Sequence, residues 1–152
     1  MIQRIQSVYL LLAAVAVVVS MFLPVCSYVA ADAVHADVLK PLGLVLSTGE
    51  FHSTWGLFCL LMLSALIAVA AIFLFRNRML QIRMTIFNVL LLVGYYVTAA
   101  VFIFSLKEGL DAVSLRMGLG LALPAVSIIF CYLAFRGIYR DEIMVKAADR
   151  LR

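Results

Sequence analysis

Residues 75–83 read FRNRMLQIR, three arginines within nine residues, with a long apolar stretch on either side. An arginine in the middle of a bilayer is costly, so such a cluster marks a point where the chain stands outside the hydrocarbon. Working outward, the flanking segments 55–75 and 84–106 contain no Asp, Glu, Lys, Arg or His, and neither do 7–25 and 117–135. These four runs hold 21, 23, 19 and 19 residues, and about 20 helical residues cross the ~30 Å hydrocarbon layer. Barrel strands would alternate apolar and polar residues over about ten positions, so continuous runs indicate helices. With 66% of the chain apolar and only 13% charged, against about a quarter charged in soluble domains, no water-facing surface could be built. The expected fold is all-α: an integral membrane four-helix bundle in one domain, 1–152, with an outer loop at 26–54 and a tail at 136–152.

Charge then orients the bundle. Arg4 precedes the first run, Arg76, Arg78 and Arg83 lie between the second and third, and Arg136, Arg140, Lys146, Arg150 and Arg152 follow the fourth. Only Lys40, Lys107 and Arg116 fall on the other side, where Asp32, Asp37, Glu50, Glu108 and Asp111 accompany them. Basic residues favour the cytoplasmic side, which predicts both termini and the 75–83 turn in the cytoplasm. The net charge of +4 therefore reports topology and implies no nucleic-acid partner. The first run is longer than a usual signal core, so it reads as a span and not as a cleaved leader.

In the outer loop, Pro41, Gly43 and Gly49 break short Leu- and Val-rich runs, a pattern that suits a small hairpin or lid on the membrane surface. Tyr28 and Trp55, at the ends of spans one and two, suit the interfacial aromatic belt. Span three is the most polar, with Asn88, Gly94, Tyr95, Tyr96 and Thr98. Small residues four apart, Ala16 with Ser20, Ser64 with Ala68, Gly94 with Thr98 and Gly118 with Ala122, permit close helix approach. Pro124 should kink span four and leave the carbonyl near Gly120 without its usual partner. The tail continues as a C-terminal amphipathic cytoplasmic helix with Gly137 as a hinge. Its apolar arc runs through Ile143, Met144, Ala147, Ala148 and Leu151.

Reactive constellations are sparse. A metal could be built from His35, Asp37, Glu50 and His52 only with ligand spacings that match no compact pattern, so these read as solvated loop residues and no metal or cofactor is expected. Cys26 and Cys59 could pair, but isolated cysteines are the expectation, and Cys131 stands apart. No charged group lies within a span to couple transport, and none is present there to act as a general base. Asn88 is expected to make an inter-helix hydrogen bond near the inner boundary.

MIQRIQSVYLLLA at the start, FRNRMLQIR in the middle and RDEIMVKAADRLR at the end resemble a bacterial family of four-span membrane proteins known as domain of unknown function 4293. The resemblance implies an inner-membrane protein of a Gram-negative bacterium and supplies no activity. The family's middle motif favours lysine where Arg76 and Met79 stand here. All three segments fall on the expected cytoplasmic side, which makes Arg4, Arg76, Arg78, Gln81, Arg83, Arg140, Lys146, Arg150 and Arg152 the expected contact surface for a protein partner or anionic lipid. The expected function is a non-catalytic scaffold or accessory subunit, working with membrane lipids and another membrane protein or a second copy. The competing expectation is a small four-helix transporter or channel, possible as a dimer, with Asn88, Gly94, Tyr95, Thr98 and Pro124 along helix contacts or a path.

Overall fold

The computed structural model describes residues 2–29, 36–45, 51–74, 77–109 and 114–150. Helix α1 (Ile2–Phe22) is followed by strands β1 (Cys26–Val29), β2 (Ala36–Lys40), β3 (Gly43–Val45) and β4 (Phe51–Ser53). Then come α2 (Trp55–Phe73), α3 (Arg78–Gly109), β5 (Ser114–Met117) and α4 (Leu119–Arg150). The arginine-rich stretch does separate two helices, but it does not stop them where the apolar runs stop. Asn77 is the N-cap of α3, its carbonyl accepting the Gln81 N–H at 3.0 Å, and Asn is a favoured residue there. Arginine is a good helix former, so α3 begins ahead of the apolar run it feeds. Helices α3 and α4 have 32 residues each, about 48 Å at 1.5 Å per residue, and outrun the ~30 Å layer that α1 and α2 match. All four helices are long and apolar enough to cross a membrane.

The buried positions explain why these helices associate. On α4 they are Gly120, Pro124, Ser127, Cys131, Ala134, Ile138 and Asp141, and on α3 they include Gln81, Thr85, Asn88, Leu92, Tyr95 and Ala99. On α1, Gln6, Leu10, Ala13, Val17 and Ser20 repeat the same steps of three and four, as do Leu57, Leu61, Ser64, Ala68 and Ala71 on α2. Alternating steps of three and four are the seam of a left-handed bundle, and α1 packs between α2 and α4 with α3 closing the ring. The seams are rich in small and polar residues, whereas Leu11, Val15, Leu66, Leu90, Val97 and Ile129 point outward. Burial of apolar surface gives no preference between lipid and a helix neighbour, so packing is left to small residues and inter-helix hydrogen bonds.

Two expected small-residue pairs, Ala16 with Ser20 and Ser64 with Ala68, lie in the seams. Gly94 has open space where a side chain would stand, and Ala122 is exposed, so the other two pairs do not make close approaches as pairs. Gly118 makes its approach elsewhere: a Cβ there would strike the Pro24 backbone. At Gly120 a Cβ would lie 2.7 Å from both the Leu23 and Pro24 carbonyl oxygens. The same Pro24 carbonyl accepts the Gly120 N–H at 3.0 Å, and that of Val25 accepts the Gly118 N–H at 2.8 Å. The exit of α1 thereby satisfies donors that the first turn of α4 leaves open.

The all-α expectation needs correction. The five strands form one antiparallel sheet in the order β4-β3-β2-β1-β5, with Ser27 opposite both Val38 and Arg116. The expected hairpin is present as β2 and β3, joined through Pro41 and Leu42, with Lys40 opposite Gly43. Residues 26–29 and 114–117, read as loop and span margin, are strands as well. Val25, Cys26, Tyr28, Leu39 and Leu44 pack with Ile103, Leu106, Leu115 and Leu121, so the sheet covers one end of the bundle. Tyr28 is accordingly 1% exposed and does not join an interfacial belt. Its hydroxyl donates to the Ile103 carbonyl at 3.2 Å. Trp55 is exposed, as the belt reading requires. Gly137 is no break: α4 runs continuously through it, and the glycine makes room for Gln6, whose Cγ would lie 3.1 Å from a Cβ.

Candidate functional site

Two groups of residues were candidates, one inside the bundle and one at the end opposite the sheet. Inside, Asn88 is 1% exposed and joins three helices. Ser64 Oγ donates to its Oδ1 at 2.7 Å, and its Nδ2 donates to Cys131 Sγ at 3.5 Å. The expected inter-helix bond is therefore present, with both ends of the amide engaged. Thr98 donates back to the Gly94 carbonyl in its own helix at 2.9 Å. Tyr95 is fully buried, and its hydroxyl faces Ser20 without reaching hydrogen-bonding geometry.

Pro124 behaves as its chemistry demands, and the bundle answers it. A proline ring removes the N–H that would bind the carbonyl four residues earlier. That carbonyl, Gly120, instead accepts from Ser20 Oγ of α1 at 2.8 Å, and the next one, Leu121, accepts from the Tyr96 hydroxyl of α3. Irregular backbone at such a depth is tolerated when neighbouring side chains supply the missing partner. The proline break is thus filled by α1 and α3 and is not left open to solvent.

At the other end, Arg83 and Arg140 are exposed, Arg78 is half-buried, and Gln81 is buried in the α3 seam, away from the basic surface. The side chains of Arg4, Lys146 and Arg150, and residues Arg76 and Arg152 entirely, lie outside what is described. Asn77, Arg78, Met79, Leu80, Arg83 and Glu142 line a hollow of about 500 Å³ between α3 and α4. Further along, α3 and α4 enclose an apolar groove of about 620 Å³. Close by, Gln6 Nε2 of α1 donates to Asp141 Oδ2 of α4 at 2.6 Å, both side chains being buried.

The Gln6–Asp141 pair escaped the sequence reading: Gln6 falls just ahead of the first charge-free run, and Asp141 just beyond the fourth, among the basic residues of the tail. A signal was present. Counting in steps of three and four from Gly120 lands on Asp141, and the same count back from Ser20 lands on Gln6. Among the described residues no group of three His, Cys, Asp or Glu could hold a metal. His35 and Glu50 lie outside them, as does the His52 side chain. All three cysteines are free; Cys26 and Cys131 are buried and Cys59 is exposed. In the sheet, burial pushes the Cys26 thiol up from its ordinary pKa, countered in part by Tyr28, and burial also raises the Tyr28 phenol, helped by Cys26.

Four apolar helices, tied to one another by side-chain hydrogen bonds at buried and half-buried positions and covered at one end by a sheet, define a membrane-type helical bundle. The chain belongs to the DUF4293 family, a domain of unknown function, whose family model matches residues 2–151. No curated protein matches it.

Proposed function

We propose that this protein is a non-catalytic scaffold or accessory subunit of a larger complex in the bacterial inner membrane. Both termini face the cytoplasm, and Arg78, Arg83, Arg140 and the basic tail meet a protein partner or anionic lipid there. One observation carries this reading: most polar side chains of the interior hold helices together, while Arg83 of α3 and Arg140 of α4 are exposed at one end. Scaffold chemistry needs a stable body and an interaction surface, and the packed seams and the exposed arginines support that reading. The asymmetry of basic residues supports the cytoplasmic placement.

A conduit through a single chain draws less support. Asn88 and Tyr95 are buried in contact with neighbouring helices, and the Pro124 break is occupied by Ser20 and Tyr96. Purification from native membranes in several mild detergents tests the proposal. Copurification of one defined membrane protein, weakened by Arg78→Glu with Arg83→Glu, is the expected result. A monodisperse particle with no copurifying protein in any detergent would count against the accessory role.

A further inference from the structure

The hollow at Arg78 and Arg83 and the apolar groove lie on one seam. On α3, Met79 and Arg83 line the hollow and Ile86, Leu90 and Val93 line the groove. On α4, Glu142 stands seven residues beyond Phe135, two turns along the same stripe. From Arg83 to Val93 the seam runs ten residues, about 15 Å at 1.5 Å per residue, half of the ~30 Å hydrocarbon layer. With Arg83 at the headgroup level, the seam of hollow and groove would reach the midplane at Val93, which is the depth of an acyl chain in one leaflet. The groove's walls are almost wholly apolar. At its mouth Arg78 and Arg83 stand in the same hollow as Glu142, which is itself engaged within the chain. Two guanidiniums and one carboxylate, a net positive mouth above a chain-length apolar slot, match one occupant in charge and in shape.

We infer that the α3–α4 seam is a binding site for an anionic glycerophospholipid of the cytoplasmic leaflet, its phosphate on Arg78 and Arg83 and one acyl chain in the groove down to Val93. This rests on the proposed cytoplasmic placement and specifies the lipid contact. Guanidinium suits phosphate because its planar fork of N–H donors can engage two oxygens at once.

Native mass spectrometry of the intact protein, delipidated and then titrated with phosphatidylglycerol or phosphatidylcholine of matched chains, reads the inference directly. The expected preference for phosphatidylglycerol is roughly tenfold or more, from two cations at the headgroup level. Arg78→Gln with Arg83→Gln should abolish the preference, and Leu90→Trp, which fills the groove without touching charge, should reduce retention of both lipids. Glycerol phosphate alone should not bind, because the groove contributes through the acyl chain. Equal retention of the two lipids by the unaltered protein would overturn the inference with no variant needed. So would a dimer that carries no lipid, since α3 and α4 of a second copy would then fill the seam. Lipid preference lost while the copurifying protein is kept sinks this inference alone; reagent access to residues 75–83 from outside intact cells sinks the sidedness beneath both.

Discussion

Single glycines at the junction of α1 and α4 decide how closely the backbones approach. A methyl group at Gly120 would meet two carbonyl oxygens at 2.7 Å, with backbone and not a flexible side chain in the way. Gly120→Ala should destabilise the protein by about 1–3 kcal/mol, the usual cost of overpacking, read as a lower thermal midpoint in detergent. Gly94→Ala, in open space within α3, should instead be neutral or stabilising by up to about 1 kcal/mol. The Gln6–Asp141 bond is a second test at this scale. Gln6→Leu strands a buried carboxylate oxygen and should cost about 1–3 kcal/mol, while Gln6→Leu with Asp141→Leu should recover much of it. Asn88 was legible in the sequence because a lone amide in an apolar run needs a partner. Gln6 and Asp141 were not, because each sits among charges that made solvent the obvious neighbour.

Among the elements, α4 shows how a helix-breaking residue is accommodated. If Ser20 replaces the partner that Pro124 removes, the two positions are coupled. Ser20→Ala should cost about 0.6–1.7 kcal/mol in the natural chain and distinctly less beside Pro124→Ala, where the helix supplies its own N–H to Gly120. The sheet makes a separate prediction about pH. The pKa values of Cys26 and Tyr28 are raised by burial, so each favours the folded state while protonated. That contribution is complete below the unfolded thiol value near 9.0 and declines as pH rises above it. Thermal stability in detergent should therefore fall above about pH 9, and Cys26→Ala should remove the first part of the decline. The four helices were readable because a charge-free run of membrane length can hardly be anything but a spanning helix. Of the strands, only the β2–β3 hairpin was readable, from its Pro41 and Gly43 breaks; the others are three or four residues long, and β5 is paired with a segment on the far side of two helices.

At the scale of the whole molecule, the seams and the outward faces exchange the roles they have in a water-soluble bundle. Small and polar groups hold the centre, and large aliphatic side chains cover the outside. Charging the outside should therefore be harmful where the lipid is thickest and harmless at the ends. Val97→Arg, at a 62% exposed position near the middle of α3, should reduce membrane-inserted protein, as measured by carbonate-resistant yield. Arg83→Gln should leave insertion unchanged, since its cost of transfer is small at the headgroup level.

The position of β1 in the sheet has a consequence for biosynthesis. Its neighbours are β2, made within the next few residues, and β5, made only after two more helices have left the ribosome. A nascent chain halted after α3 would thus carry β1 with one bare edge, and with the Pro24 and Val25 carbonyls still lacking their Gly120 and Gly118 donors. Closure of the ring and completion of the sheet become a single late event, fired when the segment around residue 116 reaches the open edge of β1.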